Sequence, residues 1–214
     1  MGVIKNYRDR GDTLIEVLFA ITIFSLVAVS SMAIMNQGTD TAQRSLEITL
    51  VRQEIDAQAE TLRFLNASYI ANASFVAGDG SYADQWKSIR EKVAIDQSSG
   101  GDVSQYDTGS TCTVPDKAFI LNAHTVTFIN PSVYKPITAK NYSHVIYGSP
   151  PDESNTFIAA EGIWVEAVRI KNTSGDVNQS NAGYIDFHIR ACWESPGQTN
   201  PARIGTIVRL YEPL

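Results

Sequence analysis

The chain has 214 residues and a net charge of −6, with 43% hydrophobic and 19% charged residues. This is enough for one folded domain with a sizeable core plus an additional segment. The mild acidity, with no clustering of Lys and Arg, argues against a nucleic-acid footprint. Two cysteines, Cys112 and Cys192, stand in neither a CxxC nor a metal-ligand spacing.

The first eleven residues are short, polar and basic, with Lys5, Arg8 and Arg10 against Asp9, and end at Gly11. Leu14 to Met35 is then an apolar run of about 22 residues, roughly 33 Å as a helix, which matches a hydrocarbon core of about 30 Å. A secretory signal peptide places its apolar region before the cleavage point, whereas here the run follows the basic leader. The positive-inside tendency keeps the leader in the cytoplasm and exports the chain from Asn36 onward, giving a single-pass membrane protein with an extracytoplasmic head. Glu16 lies at the head of the apolar run. An ionisable side chain there is expensive and marks a functional position. A plain signal anchor would need neither Gly11 nor Glu16.

The stretch Gly11-Asp12-Thr13-Leu14-Ile15-Glu16, followed by an uninterrupted apolar run, resembles the prepilin signal of type IV pilins and pseudopilins. The resemblance implies cleavage after Gly11 by a separate prepilin peptidase, a mature chain beginning at Asp12, and Glu16 at the family's fifth mature position. There it would neutralise the new amino terminus of an adjacent subunit and set the axial register between helices, since opposite charges attract strongly in a low dielectric. Implied partners are the membrane, other pilin subunits in a homo- or heteropolymer, and, indirectly, an assembly platform protein and its ATPase. One departure stands out: pilins usually begin with Phe or Met, and this chain would begin with Asp12. That leaves N-methylation of the terminus open and adds a second acid beside the amine.

Beyond Met35, Val51, Ile55, Leu62, Leu65 and Tyr69 recur at helical spacing, flanked by Leu50, Ala57 and Phe64. Arg52, Asp56, Glu60 and Arg63 fall on the opposite face, so this is an amphipathic helix seeking a sheet or a partner. Gln58 interrupts the stripe, and Arg44 and Glu47 lie in line with it. Joined to the apolar run, the whole is a helix of about 60 residues and roughly 90 Å. Asn36-Gln37-Gly38-Thr39-Asp40 breaks the pattern, either as a bend or loose point centred on Gly38 or as a break between two helices.

Ser81 to Val93 reads as a shorter helix with Trp86, Ile89 and Val93 on one side. The Ser-, Gly-, Asp- and Thr-rich stretch from Gln97 to Thr113 reads as a loop, and Pro131 to Asn155, with four prolines, as an irregular excursion. Ala118 to Asn122 and Thr125 to Asn130 suggest two short strands. Ile163 to Lys171, Tyr184 to Trp193 and Arg203 to Tyr211 form the clearest β region. In the middle strand Ile185, Phe187, Ile189, Ala191 and Trp193 share one face, with Tyr184, Asp186, His188, Arg190 and Cys192 on the other. The expected fold class is α+β: a long N-terminal helix whose second half packs on a C-terminal antiparallel sheet, an arrangement similar to the pilin head. The expected divisions are a leader (1–11), a transmembrane and filament-core helix (12–35), an amphipathic helix (36–75) and a head (76–214). For a head outside the cytoplasm, one long-range disulfide is the simplest reading of the two cysteines, a buried thiol pair being the alternative. The resemblance favours Cys192 pinning the loop that ends at Cys112, as in many pilins.

Catalytic patterns are sparse. His124, His144 and His188 look isolated, and the SxxK string Ser132-Val133-Tyr134-Lys135 lacks partner motifs. His188 beside Asp186 and Arg190 reads as a solvated polar face. The sequence points to no enzyme, cofactor or metal, and does not identify a ligand for the head. Three readings compete: a pilus subunit for adhesion, DNA uptake or motility; a pseudopilin of a type II secretion-like system; and a membrane-anchored surface-binding protein that never polymerises.

Overall fold

The computed structural model describes residues 12–71, 81–92, 95–96, 112, 114–115, 117–129, 139–148, 156–170 and 183–211. The leader, Val93 and the SxxK string lie outside them, as do most of the two loops expected at 97–113 and 131–155. The chain divides into two compact units, with the boundary between Leu46 and Glu47.

Helix α1 runs from Asp12 to Ala71 and crosses that boundary. It passes through Asn36–Asp40 as continuous helix, which rules out a break into two helices there. A Cβ added at Gly38 would meet nothing within 4 Å, so no tertiary contact requires a glycine. The two threonines of this stretch bond back into the helix. The Thr39 hydroxyl donates to the Asn36 carbonyl at 2.8 Å and that of Thr41 to the Gln37 carbonyl at 2.9 Å.

In the first unit, every helical side chain from Leu14 to Leu46 is exposed. The apolar ones include Leu26 at 70% and Phe24 at 74%. This is a helix near the N-terminus long and apolar enough to cross a membrane.

The second unit is an α+β head. Its sheet has the order β1-β6-β7-β8, from Ile95–Asp96, Ile163–Ile170, Tyr184–Trp193 and Ala202–Tyr211. The last three strands form the expected antiparallel meander, in unbroken register. β1, not expected from the sequence, joins β6 in parallel. Two smaller sheets pair β2 (Ile120–Asn122) with β3 (Thr127–Ile129), and β4 (His144–Tyr147) with β5 (Phe157–Glu161). The second of these corrects the reading of 131–155 as wholly irregular: His144–Tyr147 is paired, and its strand character is obscured by the turn-rich sequence around it.

The helical stripe meets the sheet as its spacing requires. Val51, Ile55, Leu62 and Leu65 are buried in one core with Ile185, Phe187, Ile189, Ala191 and Trp193. Each fully buried aliphatic side chain contributes about 1.5–3 kcal/mol relative to exposure. Arg52, Asp56, Glu60 and Arg63 are exposed, as the opposite face should be. Helix α2 (Tyr82–Glu91) starts at Ser81, whose hydroxyl accepts the Asp84 N–H at 3.3 Å and donates to the Asp84 carboxylate at 2.8 Å. It adds Trp86 and Ile89 to the same core.

Gly162 joins β5 to β6 at φ +62. A Cβ there would lie 2.1 Å from the Cys192 carbonyl, so only glycine fits. The close approach allows the Cys192 N–H to donate to the Gly162 carbonyl at 2.7 Å. Cys192 itself is bonded to Cys112, 80 residues away in sequence.

Candidate functional site

The apolar part of α1 is the first candidate. Glu16 is exposed on it, with Leu14, Ile15, Val17, Leu18 and Phe19 around it all more than half exposed. The hydroxyls of Thr22, Ser30 and Ser31 each donate to a carbonyl three or four residues earlier, which satisfies them within their own helix. Such bonding makes polar side chains tolerable in an apolar medium. An ionised Glu16 carboxylate cannot bond a carbonyl in this way, because it only accepts. Asp12 is the first residue of α1, and Gly11 lies just outside the described residues.

Of the three polar residues that blurred the helical stripe, Arg44 is exposed, while Glu47 and Gln58, in the head, are buried fasteners. Gln58 is wholly buried. Its side-chain amide donates to the Leu121 carbonyl at 2.8 Å and accepts the Leu121 N–H at 2.9 Å. The helix thereby satisfies both backbone groups of one residue in β2, as a neighbouring strand would. Glu47, 6% exposed, accepts the Trp193 indole N–H at 3.1 Å and the Ser195 hydroxyl at 2.6 Å. It fastens the first residue of the head to the end of β7. Single-residue periodicity counts both as defects. Only the partners, 63 and more than 140 residues away, explain them.

The histidines are less isolated than their spacing suggests. His124 stacks on Tyr147 with ring centroids 4.0 Å apart, and His144 lies 4.8 Å from the Tyr142 ring. Burial raises the Glu54 carboxyl above its ordinary range, while His144, the Val145 N–H and His124 pull it back. Helix α1 and the β2–β3 and β4–β5 hairpins thus assemble an acid, two imidazoles and a phenol from distant parts of the chain. Among the described residues, no three His, Cys, Asp or Glu side chains converge as metal ligands.

The outer face of the main sheet is also more than a solvated polar surface, which corrects the sequence reading. Asp186 is buried and takes both Arg209 guanidinium bonds, at 2.7 and 2.8 Å. That guanidinium lies over the Tyr184 ring at 4.0 Å. Glu166, 3% exposed, accepts the Trp164 indole N–H at 2.9 Å, with Arg190 at 3.8 Å. Burial pushes its carboxyl up to about 6, and Arg190 opposes this only in part. Burial also lowers the His188 imidazole, helped by Arg190 and opposed by Asp186. The alternation of the strand identified the face but gave no sign that β6 would bring a buried acid to it.

Comparison with known proteins gave no match: no family model fits the chain, and no curated protein or solved structure matches it.

Proposed function

We propose that this chain is a prepilin-like structural subunit, anchored by the apolar half of α1, trimmed after Gly11 by a prepilin peptidase and polymerised through that helix into a surface filament of the type IV pilus kind. The observation that carries the reading is Glu16, an exposed acid near the start of an apolar helix whose side chains from Leu14 to Leu46 are all exposed. In a bilayer or a bundle of like helices, that carboxylate needs a cationic partner from another chain. The new amino terminus of a neighbour supplies one. The folded head, with its own core, disulfide and fasteners, supplies the extracytoplasmic body of such a subunit.

The test is mass spectrometry of a sheared surface fraction from wild-type and Glu16→Ala cells. The wild-type fraction should contain the chain with its terminus at Asp12. The variant should remain in the membrane and be lost from the fraction. Equal amounts of both chains in sheared filaments would sink the register role of Glu16. An uncleaved chain confined to the membrane would favour the non-polymerising anchor, and cleaved chain that is never shed would favour the pseudopilin.

A further inference from the structure

Strand β8 closes one side of the main sheet. It pairs with β7 over all ten residues, without a bulge, and among the described strands none pairs with its other side. Long regular edges are ordinarily blunted by proline, lysine or a bulge, because their unpaired N–H and C=O groups template pairing with another chain. Between Ala202 and Tyr211 there is neither proline nor lysine. The strand does expose two arginines, Arg203 and Arg209, the second of them tied to Asp186 on its own sheet. Between them it exposes Gly205, Thr206 and the large apolar Ile207 at 60%, with Tyr211 at 62% beyond. At its far end the Tyr211 carbonyl accepts from Asn66 at 3.5 Å.

We propose that the outer edge of β8 is a self-recognition surface, which pairs antiparallel with β8 of a second copy about a two-fold axis through Ile207. The side-chain order selects the occupant and the register. Opposed residues of an antiparallel pair share a face, so the two numbers in each pair must be both odd or both even. Centring on Thr206 would set Ile207 against Gly205, leaving the exposed isoleucine without an apolar partner across the seam. Centring on Val208 shortens the paired stretch. Centring on Ile207 uses the strand from Arg203 to Tyr211. It places Ile207 against Ile207, Arg203 against Tyr211 and Arg209 against Gly205 on the outer face, and Ile204 against Leu210 on the inner face. Apolar groups then meet their own kind, each Arg203 faces an aromatic ring, and no arginines oppose.

The geometry also limits which copies can pair. The two-fold runs normal to the continued sheet. The helix 47–71 lies along that sheet, since Val51 through Leu65 share one core with β7. The axis therefore reverses its direction in the second copy. This is a contact between opposed heads, not between neighbours stacked one way, and it does not depend on the filament reading.

Cysteine scanning of the full chain in detergent, with Cys112 and Cys192 retained, tests it. Facing Cα atoms in an antiparallel pair lie about 4.5–5.5 Å apart, within disulfide range. Mild oxidation of Ile207→Cys should give a covalent dimer at about ten times or more the yield from Gly205→Cys, whose two copies would lie about 13 Å apart along the strands. Arg203→Cys mixed with Tyr211→Cys should cross-link, while either alone should not. Ile207→Lys should weaken the sedimentation dimer by about tenfold or more without changing head unfolding. A monomeric Ile207→Cys overturns the proposal. So does equal cross-linking at Gly205 and Ile207, the pattern expected if the apolar helices alone associate, or a Lys variant that dimerises like wild type.

Discussion

The two parts of helix α1 share a backbone and little else. From Leu14 to Leu46 every side chain is exposed, polar or not. From Glu47 onward the apolar stripe is buried against a sheet, and even its polar interruptions, Glu47 and Gln58, are buried and bonded. Identical secondary structure therefore carries two kinds of information. The first part keeps all its side chains, apolar ones included, available to whatever surrounds it. The second is read by its own head, one residue at a time.

The largest expected effect separates them most sharply. Leu62→Ala should destabilise the head by about 2–5 kcal/mol, because its buried side chain leaves a cavity in the core. Leu26→Ala, an equal deletion from an exposed position, should leave head unfolding within about 0.5 kcal/mol of wild type. Denaturant unfolding followed by tryptophan fluorescence measures both, and equal losses would mean that the helix does not divide energetically at Glu47.

Next comes the fastener. Gln58→Leu makes the stripe more apolar, yet should destabilise the head by about 1–3 kcal/mol, because it strands the Leu121 N–H and carbonyl in the core. The same unfolding assay decides. A stabilised Gln58→Leu variant would show that periodicity, rather than pairing, governs this position.

The smallest effect concerns the other face of the sheet. Glu166 has a folded pKa of about 6 against an ordinary 4.5, so the folded chain holds that proton more tightly than the unfolded chain. Stability from this group is therefore lost as pH rises from 4.5 to about 6, by about 1–2 kcal/mol. His188, lowered, acts oppositely: its contribution grows as pH rises towards 6.5. Glu166→Gln keeps an acceptor for Trp164 and should remove the Glu166 part of the decline. Its loss of stability across the same interval should be shallower than in wild type, because Glu54, also raised, still declines and His188 opposes it. A variant whose pH profile parallels wild type would rule out the buried acid as the cause.

The stripe from Val51 to Tyr69, the apolar run and the strands of the meander were legible because each repeats a local period, 3.6 for the helix and 2 for the strand. The short strands Ile95–Asp96, His144–Tyr147 and Phe157–Glu161 were not, since two to five residues are too few for a period to emerge. Composition and spacing left the bonding of Cys112 to Cys192 open. The fold decides it by bringing the two Cα atoms to 5.8 Å.

By itself, the sequence determined the α+β class, the membrane-length helix, the position of Glu16 within it and which face of each long element seeks a core. All of these depend on the order of apolar and polar residues along one local segment. Only the tertiary structure decided what Glu47 and Gln58 are for, that His124 and His144 gather near Glu54, that Glu166 is buried beneath the outer face, and that β8 is the last of the described strands in its sheet. Those properties depend on partners many residues away, and a polar side chain's meaning in a core is set by whether its partner arrives.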